Sequence, residues 1–186
     1  MNFKHHSTIL ALMEVLDNIY HHLNKHEFII GIYLDLQKAF DTVNHDILLY
    51  KLQNYGVRGV VNQCFKSYLS GRKQITSIKD RYSDIGSLTV GVPQGSVLGP
   101  VLFLFYINDI CNAIHDAKIK LLADDSNLFL YDTSLSNLHH RANLSLTCLS
   151  KWFLVNRLSL SIDKNFCQKI IFDKFENKIN ILVIYS

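Results

Sequence analysis

The chain has 186 residues, of which 48% are hydrophobic and 19% are charged. This balance excludes a disordered or low-complexity protein, and the length suffices for one domain with a substantial core. The formal net charge of +3 permits a polyanionic partner without requiring one.

The cysteines and the apolar segments bear on the compartment in which the protein works. The four cysteines are far apart and form no C-x-x-C pair, which argues against a zinc site or a disulfide framework and indicates reduced thiols. Residues 1–8 are polar and do not resemble a signal peptide. The longest apolar run, residues 97–107, is too short to cross a bilayer. We therefore expect a soluble intracellular protein of the nucleus or cytoplasm with no membrane partner.

The first third of the chain predicts two helices around a buried strand. Apolar residues recur at steps of three and four over residues 7–26, with a Ser-Thr pair supplying the N-cap. Residues 28–34 are apolar throughout, which is typical of a central strand covered on both faces. A second helix is predicted over residues 45–55, and Gly56 ends it as the left-handed residue after the last turn.

The rest of the chain continues the alternation of helices and strands. A short helix over residues 60–69, a β-hairpin over 73–90 and an apolar helix over 97–114 come first. The remaining elements are two strands around an acidic turn, a long amphipathic helix and two short strands, at residues 118–122 and 127–131, 135–153, 158–162 and 168–172. These elements, with neither a repeat nor a linker, predict a single α+β domain.

Three carboxylates stand where the predicted strands end. Asp35 directly follows the apolar strand, and Asp124 and Asp125 occupy the turn of the predicted hairpin. Carboxylates so close to buried strands need compensation by a metal or a base. Two divalent ions held by such groups stabilise both oxygens of an in-line phosphoryl transfer. The alternative is that the Asp-Asp pair is a solvated turn, as most such pairs are.

Three motifs in order resemble the reverse transcriptases of non-LTR retrotransposons of the jockey type. They are residues 34–43 (LDLQKAFDTV), 91–100 (GVPQGSVLGP) and 122–125 (LADD). The resemblance covers residues 3–172 and implies a polymerase palm, an antiparallel ferredoxin-like sheet backed by helices, with partial fingers. Residues 1–173 are expected to form this palm core, without the start of the fingers or a thumb. Residues 174–186 are expected to be an unassigned tail.

The resemblance implies a metal site. Asp35 and Asp124 match the main metal ligands, with the Leu36 carbonyl as a further ligand. Asp125 matches the second acidic position of the catalytic set and has a supporting role. The implied cofactor is Mg²⁺, with Mn²⁺ as the alternative.

The resemblance also implies a nucleotide site. Phe40 matches the aromatic residue under the sugar of the incoming nucleotide, where a rigid ring leaves no space for a 2′-hydroxyl and favours dNTPs. Plain core packing is the alternative for Phe40. Gln94 and Gly95 match the loop that contacts the template–nucleotide pair. Lys164 matches a basic position near the nucleotide phosphates and would donate a proton to the departing pyrophosphate.

Five basic residues lie close together in the sequence: Lys66, Arg72, Lys73, Lys79 and Arg81. Such a cluster neutralises phosphates in a sequence-independent and salt-sensitive way. A solvated charged face is an equally good reading. By the resemblance, the nucleic-acid partner is an RNA or DNA template with its primer.

Structural readings are preferred for four other residues. Asp41 belongs to the first motif but is interpreted as a cap of the following helix or as the partner of a nearby basic residue. His22 and His26 have the i, i+4 spacing of metal ligands, yet no third ligand is evident and the polar face of their helix accounts for them. His45 is interpreted as a boundary residue rather than a base.

Two functions of different class follow. The first is an RNA-directed DNA polymerase that transfers nucleotides from dNTPs to a primer. The second is a catalytically inactive remnant that at most binds nucleic acid. A metal nuclease built on the same acids is a third reading, and it would need neither a primer nor dNTPs.

Overall fold

The computed structural model describes residues 8–114, 117–122, 125–160, 167–175 and 178–185. Its elements, in chain order, are α1 (Thr8–Asn24), β1 (Phe28–Leu34), α2 (His45–Asn54), α3 (Gly59–Leu69), β2 (Lys73–Gln74), β3 (Ser77–Ile78), β4 (Arg81–Tyr82), β5 (Gly86–Ser87), α4 (Leu98–Ile107), a 3-10 helix (Asn108–Ala113), β6 (Lys118–Leu122), β7 (Asp125–Asp132), α5 (Leu135–Val155), β8 (Cys167–Phe175) and β9 (Lys178–Tyr185).

The chain divides into two compact units. The sheet unit comprises Met1–Asp35, His115–Thr147 and Ser161–Ser186, and the helical unit comprises Leu36–Ile114 and Cys148–Leu160. Within the part of the chain that the structure describes, no helix has the length and apolar character needed to span a bilayer.

The sheet unit contains an antiparallel sheet with the strand order β6-β7-β1-β8-β9. The central strand β1 buries Ile29, Ile30 and Ile32, as expected of a strand that is apolar on both faces. Helix α1 lies against β1 and β8. An antiparallel sheet combined with helices confirms the predicted α+β class.

The helical unit has its core around α2 and α4. Helix α2 packs against both α3 and α4. The buried apolar side chains of these helices are Leu48, Leu52, Leu69, Leu102, Phe103 and Ile107. Helix α4 is apolar around its whole circumference, and it buries one face in this core while Leu98, Val101 and Leu104 are exposed on the other.

A buried lysine ties this core together. The Lys51 ammonium donates hydrogen bonds to the Tyr106 carbonyl and to an Asp109 carboxylate oxygen, both at 2.6 Å. It also lies 4.9 Å and 4.8 Å from the ring centres of Tyr106 and Trp152. Burial lowers the pKa of Lys51, and the Asp109 carboxylate opposes that shift. The Tyr106 hydroxyl in turn donates to the Asn156 carbonyl at 2.5 Å. One charged side chain thus joins segments distant in the sequence.

Most predicted elements are confirmed, and two differ. The helix predicted over residues 97–114 is regular only in α4 and then tightens into the 3-10 helix, which is a common ending for a helix. The strand predicted over residues 158–162 is wrong in its described part. There, Leu160 makes only an isolated bridge with Leu36.

The hairpin predicted over residues 73–90 has two tiers. Strand β2 pairs with β5, and β3 pairs with β4. Lys79 and Asp80 both have positive φ angles, 43° and 56°. Two successive left-handed residues form the two-residue turn that matches the twist of a hairpin. The predicted hairpin is therefore confirmed, although its strands are short.

The last strand occupies the segment expected to be a tail. Strand β8 runs to Phe175, and Lys178–Tyr185 pairs with it as β9 at the edge of the sheet. The boundary placed at residue 173 stays a prediction, but this part of the expected tail has a defined place in the sheet unit.

Candidate functional site

Asp35 directly follows the central strand of the sheet. Leu34, the last residue of β1, pairs with Ser126 of β7 and with Cys167 of β8. Paired neighbours on both sides fix the point at which the chain leaves the sheet. Asp35 is half-buried at that point, so its carboxylate combines a fixed backbone with access to solvent.

The acidic pair of the third motif belongs to the β6–β7 hairpin. Leu122 pairs with Asp125, so Asp125 is the first residue of β7 and the prediction that it lies in the turn is wrong. Because Leu34 pairs with Ser126, Asp35 and Asp125 come to the same end of the sheet on neighbouring strands.

Two of the expected site residues, Asp124 and Lys164, lie outside the described residues, and their roles stay predictions. Over the ranges that the structure describes, no group of three or more His, Cys, Asp or Glu side chains is arranged to hold a metal ion. Mg²⁺ takes hard oxygen ligands, often only one or two carboxylates with several waters. The half-buried Asp35 carboxylate is a donor of this type, so its chemistry fits the expected ion. The carbonyl of the buried Leu36 stays a predicted ligand.

Phe40 packs in the helical unit and is also partly exposed. Its ring centre lies 4.8 Å from that of Phe103, with the planes tilted by 38°. The side chain is half-buried. The Phe40 carbonyl accepts a hydrogen bond from the Val92 amide at 2.8 Å. Core packing therefore accounts for one part of the ring and leaves another part free to meet a ligand.

The first and second motifs run alongside each other in the helical unit. The Gly91 amide donates to the Val43 carbonyl at 2.7 Å. The Gly91 carbonyl lies 2.8 Å from His45 Nε2, which must carry the proton because a carbonyl only accepts. His45 is the first residue of α2, so its interpretation as a boundary residue is confirmed. At Gly91, φ is +88° and a methyl group would lie 2.8 Å from the Asp41 carbonyl oxygen. Only glycine fits this crossing.

Asp41 has a different partner from the one predicted. Its Oδ1 accepts a hydrogen bond from Gln94 Nε2 at 2.9 Å, and both side chains are exposed. The prediction that Asp41 caps the following helix is wrong, because Asn44 does so by accepting from the Ile47 amide at 3.1 Å. Gly95 has a φ of +79° with open space beside it, which leaves its backbone approachable.

A cleft of about 560 Å³ opens beside this hydrogen bond. Asp41, Gln94, Arg72 and Lys73 all line it. The Arg72 guanidinium lies 5.4 Å from the Tyr68 ring centre, a cation–π contact that limits the freedom of this long side chain. The structure thus brings two of the predicted basic residues together with a predicted nucleotide-binding residue.

The other predicted basic residues belong to different features of the helical unit. Lys66 lines a separate open cavity together with Arg58. Lys79 is in the turn between β3 and β4, and Arg81 begins β4, both exposed to solvent. The charge cluster seen in the sequence is therefore distributed over three places.

His22 does not lie on a polar helix face as predicted. Its side chain is buried, and its ring stacks on Tyr131 with 3.6 Å between ring centres. Its Nδ1 bonds with a Glu27 carboxylate oxygen. His26 follows the helix with a φ of +56°. Packing against Tyr131 of the sheet therefore accounts for the buried position of His22.

Comparison with known proteins identifies the family. Residues 1–171 match the family described as reverse transcriptase (RNA-dependent DNA polymerase). The chain is 34% identical over 160 residues to the probable RNA-directed DNA polymerase from transposon BS of Drosophila melanogaster. The aligned region covers 79% of this chain and 17% of that protein. It is 29% identical over 174 residues to the RNA-directed DNA polymerase from mobile element jockey of Drosophila funebris. That alignment covers 90% of this chain and 19% of the relative. The chain belongs to the reverse transcriptase family.

These similarities confirm the expected relation to jockey-type non-LTR elements. The chain spans less than a fifth of the length of these two curated relatives. It therefore corresponds to a part of such proteins, and most of that part lies within the family match at residues 1–171.

Proposed function

We propose that this chain provides the palm of an RNA-directed DNA polymerase, which adds nucleotides from dNTPs to a primer on an RNA or DNA template. The observation that carries the proposal is the position of Asp35 and Asp125 at one end of the sheet on neighbouring strands. Both residues lie inside the family match. The reaction would take place inside the cell, in the nucleus or cytoplasm, where templates and dNTPs meet.

Asp35 and Asp124 would hold the divalent ion, Mg²⁺ or Mn²⁺, with the Leu36 carbonyl as a further ligand. When bound, the metal neutralises charge on the phosphoryl group and on the attacking and leaving oxygens. Asp125 would support this set from the first position of β7. The fixed end of β1 holds the Asp35 backbone, which lowers the cost of assembling the ligands.

Phe40, Gln94 and Gly95 would bind the nucleotide. The exposed part of the Phe40 ring would exclude a 2′-hydroxyl and so favour deoxynucleotides. The open backbone at Gly95 permits close approach of a ligand, and the Gln94 amide offers both a donor and an acceptor. Lys164 would donate a proton to the pyrophosphate as it leaves.

The basic residues would hold the template and primer through their phosphates. Arg72 and Lys73 line the cleft next to Gln94, so a strand bound there would pass close to the nucleotide-binding loop. Lys66, Lys79 and Arg81 would add sequence-independent contacts. This binding is expected to weaken steeply with salt, because each neutralised phosphate releases counterions.

Primer extension on a homopolymer template tests the proposal. The wild-type chain should incorporate dNTPs with Mg²⁺, while Asp35→Asn and Asp124→Asn should each lose activity by about 10²-fold or more, since a metal supplies several kcal/mol of transition-state stabilisation. Asp84→Asn removes an exposed carboxylate of the helical unit and should leave activity unchanged.

The second candidate is a catalytically inactive remnant that binds nucleic acid. It is favoured by Arg72 and Lys73, which line the cleft beside Gln94 and would bind phosphates without any catalysis. It predicts salt-sensitive binding of primer–template without incorporation even at high Mg²⁺. Nucleotide release without a primer or dNTPs would instead indicate a nuclease.

A further inference from the structure

The exposed hydrogen bond between Asp41 and Gln94 has a defined direction. Gln94 Nε2 lies 2.9 Å from Asp41 Oδ1. A carboxylate only accepts hydrogen bonds, so the NH₂ end of the amide must face Asp41. The Gln94 carbonyl oxygen is then directed away from Asp41, and within the described residues it accepts no hydrogen bond, so it can accept one from a ligand. We infer that Asp41 is a positioning residue that selects this one of the two amide orientations of Gln94.

The backbone around Asp41 reduces the conformational entropy that is lost when Asp41 and Gln94 form their hydrogen bond. Phe40 and Val43, on either side of Asp41, accept hydrogen bonds from Val92 and Gly91, at 2.8 Å and 2.7 Å. The two chain segments are therefore already aligned where the side chains meet. Fixing the Gln94 side chain before a nucleotide arrives removes part of the entropy cost of binding.

The setting allows an alternative role for Asp41, which is to balance the charge of the cleft. Arg72 and Lys73 line the same cleft as Asp41. The two roles differ in their dependence on Gln94, because orientation of the amide needs Gln94 whereas charge balance does not. A positioning role makes Asp41→Ala harmful only while Gln94 is present, whereas a charge role makes Asp41→Ala change the affinity whether or not Gln94 has been replaced.

The first measurement is independent of nucleotides. The free energy of unfolding in urea is measured for the full chain and for Asp41→Ala, Gln94→Ala and the double variant. A hydrogen-bonded pair should show coupling, so that the double variant loses less stability than the two single variants together. Additive losses would overturn the inference, whatever the activity of the chain.

The second measurement rests on the proposed nucleotide-binding role of Gln94. The affinity for the templated dNTP is measured on primer–template ended with a dideoxynucleotide, so that no turnover is needed. We expect about tenfold weaker binding for Gln94→Ala, the size of one hydrogen bond. Asp41→Ala should weaken binding about threefold, because only the orientation of the amide is lost. Asp41→Asn should fall between wild type and Asp41→Ala, because an Asn amide can accept from Gln94 or donate to it and so pairs with either orientation. The double variant should bind no more weakly than Gln94→Ala.

The outcomes distinguish the inference from the function on which it rests. An effect of Gln94→Ala without any effect of Asp41→Ala would overturn the positioning role and leave the nucleotide site standing. A further change in affinity when Asp41→Ala is added to Gln94→Ala would assign Asp41 to charge balance instead. Absence of dNTP binding in the wild type would contradict the proposed function, and the coupling measured by unfolding would then decide alone whether Asp41 positions Gln94. Asp84→Ala serves as the matched control for loss of an exposed carboxylate.

Discussion

Replacing Gly91 by alanine tests whether the two motifs of the proposed nucleotide site are held together by their close backbone crossing. Gly91 has a φ of +88°, and an added methyl group would lie 2.8 Å from the Asp41 carbonyl oxygen and 3.1 Å from Asp41 Cα. Those neighbours are backbone atoms, which cannot rotate away as a flexible side chain would. The crossing must widen, and the 2.7 Å hydrogen bond from Gly91 to Val43 weakens with it.

The expected loss has two parts. A left-handed φ costs a non-glycine residue about 1–2 kcal/mol, and overpacking against fixed atoms costs about 1–3 kcal/mol. Gly91→Ala should therefore lower the free energy of unfolding by about 2–5 kcal/mol. Gly95→Ala is the matched control, because Gly95 has a similar φ of +79° but no atom within 4 Å of the added methyl group. Only the backbone term applies there, about 1–2 kcal/mol.

Urea unfolding followed by circular dichroism measures both variants. With a slope of about 1–3 kcal/mol per molar urea, the difference between the variants is large enough to resolve as a shift in the midpoint. Equal losses for Gly91→Ala and Gly95→Ala would refute the reasoning, because the crossing would then tolerate a methyl group. A loss confined to nucleotide affinity would show that the crossing matters for the site rather than for stability.

The remaining predictions concern stability and pH. The pKa of Lys51 in the folded protein lies below its ordinary value of 10.5. Between these two pKa values the unfolded chain binds more protons than the folded one. The free energy of unfolding of the wild type should therefore rise with pH relative to that of Lys51→Met. Measuring the free energy of unfolding of both proteins from neutral to alkaline pH checks this. Stability curves that run parallel for the two proteins would contradict it. The pKa of Asp132 is held below its ordinary value of 3.8 by the Ser134 amide and then by Arg141. Its stabilisation is present above 3.8 and lost as the pH falls through the folded pKa, so Asp132→Asn should flatten the acid limb of the stability curve.

Local patterns in the sequence were enough to predict individual elements of both units. The uninterrupted apolar run of residues 28–34 predicted β1 with the bounds that the structure has. Gly56 was expected to end α2 in a left-handed conformation, and its φ is +93°. Both features depend on neighbours within a few residues, so the sequence displays them directly.

Contacts between distant segments could not be predicted in the same way. The partners Asp41 and Gln94 are separated by 53 positions, and Lys51 and Asp109 by 58. No periodicity connects such residues, and Asp41 was accordingly interpreted either as the cap of the following helix, which Asn44 provides, or as the partner of a basic residue, whereas it bonds with Gln94. Asp125 was misassigned to the turn because its pairing with Leu122 depends on backbone hydrogen bonds, which composition does not display.

The two-tier hairpin of residues 73–90 has a consequence for how this domain can change. Every residue of it is exposed, so no core side chain constrains its sequence. Both ends of the hairpin are held in place, because the Leu88 amide donates a hydrogen bond to the Arg72 carbonyl and Val90 forms a β-bridge with Asn44. Lengthening a loop whose ends are fixed costs only about 0.6 kcal/mol for each doubling. The turn at Lys79 and Asp80 is therefore a point at which an inserted peptide or label would lengthen the hairpin without disturbing the residues at its base.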